Sequence, residues 1–294
     1  MALFDWLKFG KSGSKPVIKG PSSAVSNPAH SGSPTPMAKS AQSHSELNTR
    51  KPASSEALLK DARTKLAPLT RACYVPRVMD GKGTEQSSHF CGNAALRTGE
   101  EWPTCGRCRT PMQLLVQLSS GTLPPGIDAF GSGLLQLFYC VNDKCEPGLD
   151  DWLGFGENQL VRVLPIDAAI TLAPSPASCT FPSKVIVGWE TKPDDPNHEE
   201  AGIMGIQLSR EEAAAFYDGE GEGSPLQGEK LLGWPYWVQW VEYLDCPECG
   251  ERMTYVFQVD SERNIPYMFG DMGVGHISIC RKHPHRGGFR WACS

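Results

Sequence analysis

Apolar and polar positions alternate in short runs along most of the chain. Segments 112–118, 134–140, 161–165, 184–189, 236–243, 253–260 and 275–280 are rich in aliphatic and aromatic residues and bounded by turn formers, which predicts β-strands. In the first, Met112, Leu114, Val116 and Leu118 fall on one face and Gln117 on the other. In 253–260, Met253, Tyr255, Phe257 and Val259 share a face that Gln258 opposes. Helical spacing is rarer. Leu58, Leu59, Ala62 and Leu66 recur behind Ser55-Glu56, and Pro68 should end that helix. Ser209-Arg210-Glu211-Glu212 is a capping-box pattern that opens a second helix, running to about Tyr217 before Gly219. The acidic stretches 190–200 and 218–223 read as solvated loops between these groups.

Residues 10–54 break the pattern. They are Ser, Pro, Lys and Ala with almost no large apolar side chains, so burial cannot offset the entropy of ordering, and disorder is expected. Ahead of them Leu3, Phe4, Trp6, Leu7 and Phe9 make one or two amphipathic turns, read as a frayed end rather than a docking peptide because isolated helices below ~12 residues are marginal in water. The expected organisation is a basic Ser/Pro-rich tail, 1–54, and a folded part, 55–294, built of two repeats at about 73–189 and 190–294. The expected fold class is α+β: two related halves, each a small antiparallel sheet with a zinc-held hairpin, and few short helices.

Composition sharpens this picture. The 294 residues are 40% hydrophobic, enough for one large domain or two fused halves, and 30 Gly with 24 Pro favour turns and short strands. No apolar run reaches the ~20 residues of a membrane span, and the first residues lack the pattern of a signal peptide, so a cytoplasmic location without membrane contact is expected. Residues 1–52 carry seven Lys/Arg against two acids, hence +5, and the remainder 21 against 31, hence −10. An acidic body opposes nucleic-acid binding.

Eleven cysteines in a reducing compartment call for metal rather than disulfides. Two lie in Trp102-Pro103-Thr104-Cys105-Gly106-Arg107-Cys108-Arg109-Thr110-Pro111-Met112, and two more in Cys246-Pro247-Glu248-Cys249-Gly250-Glu251-Arg252-Met253. In both copies Met stands four positions after the second Cys and Gln five positions after Met. Gln117 precedes Cys140 by 23 positions and Gln258 precedes Cys280 by 22, which reads as a duplication. A Cys-x-x-Cys turn presents two thiolates to one zinc ion, and a returning strand supplies the other two ligands. Cys105, Cys108, Cys140 and Cys145 are the candidates for the first site. Cys246, Cys249 and Cys280 begin the second, completed by His283, His285 or Cys293. Four protein ligands close such a site, so the metal would be structural.

Other chemistries find less support. There is no His-Glu-x-x-His, phosphate loop or nucleophile elbow, and His89 with Cys91 is a weak nucleophile–base pair. A duplex-reading zinc finger needs a helix after its ligands, where strands are predicted here.

These residues resemble the YwqG-like family of largely uncharacterised bacterial proteins. The matching blocks are Phe90-Cys91-Gly92-Asn93, Gly99-Glu100-Glu101-Trp102-Pro103, the two Cys-x-x-Cys turns with their strands, Lys230-Leu231-Leu232-Gly233-Trp234-Pro235, Phe269-Gly270-Asp271-Met272-Gly273, Cys280-Arg281-Lys282-His283-Pro284 and Trp291-Ala292-Cys293-Ser294. Ala94-Ala95-Leu96 departs from the family, where Pro is usual before the Leu. The resemblance favours His283 as the last ligand. A more remote similarity, to programmed cell death protein 2 relatives, implies a chaperone-like task. The expected function is therefore a non-catalytic zinc protein that binds a polypeptide partner, as a chaperone-like or immunity-like adaptor. The alternatives are an enzyme working in the sheet groove, or a thiol redox protein using the paired cysteines.

Overall fold

A computed structural model describes residues 54–294 apart from 147, 149, 151–152, 167–168 and 219–223. The expected tail up to residue 53, with the apolar segment 3–9, lies outside the described residues.

Helix α1 (Ser55–Leu66) is capped by Ser54, whose Oγ accepts from Ala57 N at 3.2 Å, and it buries Ala62 and Leu66. A short helix α2 (His198–Ile203) starts at Asn197. Helix α3 (Arg210–Tyr217) carries the capping box read from its sequence, with Ser209 Oγ accepting from Glu212 N and Glu212 Oε2 accepting from Ser209 N. Lys65 and Glu212 pair α1 with α3.

The rest is built on strands: β1 (Arg71–Asp80), β2 (His89–Phe90), β3 (Ala94–Arg97), β4 (Gln113–Ser119), β5 (Leu134–Tyr139), β6 (Gln159–Leu164), β7 (Ile170–Ala173), β8 (Lys184–Asp194), β9 (Lys230–Leu232), β10 (Thr254–Asp260), β11 (Val274–Ile279) and β12 (Gly287–Ala292). Ten of them form one antiparallel sheet in the order β12-β11-β10-β9-β1-β8-β2-β4-β5-β6, while β3 and β7 pair separately. The outer strands β6 and β12 pack against each other, so the sheet is nearly closed into a barrel. At Gly287 an added Cβ would lie 2.3 Å from Val161 Cγ1 on the opposite edge, so only glycine permits this approach.

This overturns the expected α+β class with two small sheets. The molecule is mostly β, with a single large sheet. The cause is the β1–β8 pair, in register from Arg71↔Asp194 to Asp80↔Lys184, which joins everything on either side of it. Strand β8 runs on through Glu190 to Asp194, and α2 follows, where the acidic composition of 190–200 reads as a loop. Conversely, 236–243 makes no ladder and crosses the sheet's outer face instead. One core cluster takes Leu115, Leu135 and Leu137 from one end of the sheet and Phe257, Ile277 and Phe289 from the other.

The order is palindromic about β1–β8. Strands β2, β4, β5 and β6 stand opposite β9, β10, β11 and β12. The correspondence reaches individual bonds. Strands β4 and β10 shift register between Leu114 and Val116 and between Tyr255 and Phe257 respectively. Cys91-Gly92 and Leu232-Gly233, at the ends of β2 and β9, all take positive φ. Gln117 Oε1 accepts from Ala95 N (3.1 Å) while its Nε2 donates to Glu85 O and Ser87 O. Gln258 Oε1 accepts from Tyr236 N (2.7 Å) while its Nε2 donates to Leu226 O and Gly228 O. Each buried amide thus holds an incoming segment against the sheet through backbone groups that would otherwise lack partners.

Candidate metal centres

Each Cys-x-x-Cys segment is folded by its own backbone before any side chain acts. In the first, Thr104 bridges Pro111, Cys105 N donates to Thr110 O (2.9 Å), Arg109 N donates to Cys105 O (2.9 Å), and Arg109 takes φ 62°. In the second, Asp245 bridges Arg252, Cys246 N donates to Glu251 O (2.8 Å), Gly250 N donates to Cys246 O (2.7 Å), and Gly250 takes φ 69°. The turn aims two sulfurs the same way. Cys140 and Cys280 follow β5 and β11, the hairpin partners of β4 and β10, so strand pairing returns the third donor to the turn. The fourth donor comes from the loop beyond: Cys145, whose N–H reaches Asn142 O, and His283, whose N–H lies 3.4 Å from Cys280 Sγ.

The donor atoms of Cys105, Cys108, Cys140 and Cys145 all lie within 4.8 Å of one another, as do those of Cys246, Cys249, Cys280 and His283. Cys105 Sγ is 3.7 Å from Cys145 Sγ, and Cys108 Sγ is 3.5 Å from Cys140 Sγ. In the second group Cys249 Sγ is 3.8 Å from Cys280 Sγ, and His283 Nδ1 is 3.6 and 3.7 Å from Cys246 and Cys280 Sγ. These separations are far beyond a disulfide bond of about 2.05 Å. They match the edge of a tetrahedron with metal–sulfur bonds of about 2.3 Å, which is about 3.8 Å. Two groups of the described residues can therefore hold metal ions, and their donor sets fit zinc.

Electrostatics fits the same reading. Burial pushes the Cys108 thiol up, but the hydroxyl and backbone of Thr110, with Asn142, outweigh it and hold the pKa at about 6. In the second turn burial is likewise outweighed, by the backbone N–H groups of Glu248 and Cys249, and Cys246 stands at about 6. Two other thiols of the first group bear the cost of a second negative charge nearby: Cys140 is pushed up to about 11, first by burial and then by its sulfur neighbours, and Cys145 is raised as well. One thiolate in each group forms readily, and a dication is what would make the others favourable.

Of the three candidates to complete the second group, only His283 stands within it. His285 is exposed and its Nε2 lies 3.0 Å from Glu248 Oε1. Cys293 packs near Gly270. Sequence reasoning overlooked Glu248, whose Oε2 lies 3.7 Å from His283 Nε2 and whose Oε1 accepts from Arg286. Its place inside Cys246-Pro247-Glu248-Cys249 was the available signal.

The other cysteines stand apart. Burial raises Cys73 to about 11 and Cys91 to about 12, so both thiols are unreactive. His89 and Cys91 do not meet as nucleophile and base. The ring bonds Ser87 and Asn93 O, and the thiol points to Leu115 O at 3.8 Å. No helix among the described residues is long and apolar enough to cross a membrane.

A family model described as a domain of unknown function (DUF1963) matches residues 88–292, a span that includes both metal turns and all eight candidate ligands. The chain belongs to that family. No curated protein matches it.

Proposed function

From membership of a family whose description names no activity, we propose that this chain is a structural zinc protein with two metal sites, built by internal duplication, whose task is to hold a polypeptide partner in the cytoplasm. The duplicated turn–strand–return unit, with four donors at tetrahedral spacing in each half, is the observation that carries the reading. Four protein donors leave no coordination position for substrate or water, which favours a structural metal over a catalytic one. Thiols kept as metal ligands suit a reducing compartment. They also count against the redox alternative, since paired sulfurs that hold zinc are withdrawn from disulfide exchange.

Support for a partner comes from the surface. Met79 and Val187 are 62% and 53% exposed on the central strands, and Trp240 is 60% exposed, on a body with net charge −10 over residues 53–294. Exposed Trp and Met side chains bind other chains well, and an acidic body attracts basic ones. Membership of the DUF1963 family is consistent with a YwqG-like protein.

Native mass spectrometry of tagged chain recovered from its own cells tests both parts. The reading predicts two zinc ions per chain and a stoichiometric polypeptide that dissociates as salt is raised. Zinc-loaded chain recovered alone at every salt concentration would overturn the partner. Folded chain without metal would overturn the scaffold.

A further inference from the structure

The halves use the space beside their metal turns differently. In the first, Leu96, Met112, Leu114 and Phe138 form an apolar plug against Trp102, whose indole N–H donates to Met112 O at 2.8 Å. By the register of the Cys, Met and Gln positions, the second half has Trp237, Met253, Tyr255, Ser278 and Tyr243 there. A cavity of 240 Å³ opens at that place, with Arg71, Glu200, Trp234, Tyr243, Arg252 and Tyr255 in its lining. It is smaller than the roughly 300–1,000 Å³ of pockets for drug-sized ligands, so it suits a small molecule or the end of a chain.

Its polar groups are built in but unfinished. Glu200 is only 3% exposed; Oε1 accepts from the Tyr243 hydroxyl, while Oε2 has no hydrogen-bond partner among the described residues. The Trp237 indole N–H faces this carboxyl without completing a hydrogen bond. Burial raises the pKa of Glu200 against the opposing influence of Tyr243, Trp237 and Arg71, so a donor or cation placed beside it would be stabilised. Two guanidiniums border the same cavity. Arg71 Cζ lies 3.3 Å from the centroid of the Trp234 ring and Arg252 Cζ lies 4.8 Å from that of Tyr243. Neither has an ion-pair partner among the described residues, and stacking holds both planes ready. Ile203 and Met204, 58% and 51% exposed, form an apolar lip.

We propose that this cavity binds the carboxylate end of an α-amino acid. Arg71 and Arg252 take the carboxylate, Glu200 takes the N–H donor on the adjacent carbon, and Ile203 and Met204 meet an apolar side chain. Planar guanidiniums match a carboxylate in two-point geometry. Glu200 beside them opposes a multiply charged anion such as phosphate. The same chemistry is offered by a free amino acid, with an ammonium donor, and by the C-terminal residue of a polypeptide, with an amide donor. The ligand chemistry rests on these side chains, and Arg252 also closes the second thiol turn through its bridge with Asp245.

Isothermal titration of the full chain with L-leucine, N-acetyl-L-leucine, L-leucinamide and inorganic phosphate tests it. At least one of the two carboxylate-bearing leucines binds one per chain, and leucinamide and phosphate bind at least tenfold more weakly. Preference for L-leucine identifies the free amino acid, and preference for the acetylated form identifies a chain terminus. Arg71→Gln, on β1, and Arg252→Gln, at the foot of the second thiol turn, each weaken binding at least tenfold while melting temperature and metal content stay unchanged. No binding of either carboxylate form, binding of leucinamide or phosphate as tight as theirs, or wild-type affinity in both folded variants would overturn the proposal.

Discussion

In the first half an unbroken line of side-chain hydrogen bonds runs across the outer face of the sheet. Gln136 Nε2 donates to Gln117 Oε1 at 2.8 Å, Arg162 Nε donates to Gln136 Oε1 at 2.9 Å, and Arg162 ends on Glu100. In the second half Gln258 and Arg290 occupy the same places, and Arg290 ends on Glu242, but His276 stands where Gln136 would be. Its Nε2 has no partner among the described residues, and its ring sits 4.6 Å from that of Trp237. The pair of rows separates framework from variation. Thiol turns, backbone-holding glutamines and terminal Arg–Glu pairs recur because they fix the chain path. The residues between them are free to differ, and in the second half they differ towards unsatisfied polar groups beside a cavity. Buried groups of this kind cost stability, which is the pattern of a surface kept for a ligand.

The strongest way to break the comparison is to remove a metal donor. Structural zinc binds with apparent energies of about 10–16 kcal/mol, as large as the roughly 5–15 kcal/mol that holds a whole domain. Because one core spans both ends of the sheet, Cys105→Ser and Cys246→Ser are each expected to abolish the common melting transition rather than that of one half. Cys179→Ser, outside both groups, should cost about 1 kcal/mol. Two separate melting transitions in either ligand variant would contradict the single-sheet account.

A smaller effect distinguishes the short strands β2 and β9. His89 sits opposite Gln117 and is kept neutral by burial, with its ring nitrogens bonded to Ser87 and Asn93. Lys230 sits opposite Gln258, fully buried, and its Nζ lies 2.8 Å from Asp194 Oδ2. Asp194 also accepts from Leu226 N and Trp234 N, both at 2.7 Å. Lys230→Ala leaves that carboxylate buried without its cation and should cost about 3–5 kcal/mol in denaturant unfolding. A loss below 1 kcal/mol would show that the two backbone donors alone satisfy Asp194.

The smallest effect is confined to acid. Burial holds the pKa of His276 near 3, against an ordinary value of 6.5. The unfolded chain binds a proton that the folded chain refuses, so stability falls as pH drops below about 6.5 and levels off near 3. His276→Gln, which restores the side chain of the first half, removes this term. It should be more stable than the parent by about 2 kcal/mol more at pH 5 than at pH 8. An equal difference at both values would mean that His276 is not excluded from protonation.

The same physics decides what the sequence revealed. The two groups of four donor side chains were legible because a turn and a hairpin return are local, and the repeated Cys, Met and Gln spacings recorded them twice. Helices α1 and α3 were legible from their caps and periodicity. The sheet's continuity was not. Strand β1 contains Pro76, Arg71, Arg77 and Asp80, with no apolar alternation, and it is held by backbone pairing to β8 and β9. Strands β2 and β9 are too short to show a period. The aromatic run 236–243 resembles a strand, yet it is tied to Gln258 and to the cavity rather than to a ladder. Glu200 sits in an acidic stretch that reads as solvated, and only the fold places it beside Tyr243.

Elemental analysis of the purified, untagged chain alongside Cys108→Ser and Cys249→Ser tests the central claim most directly. The account predicts two zinc ions per parent chain and a loss of one ion in each variant in whatever fraction stays soluble. A folded parent chain that carries no metal would contradict it, and would return the two Cys-x-x-Cys turns to thiol chemistry.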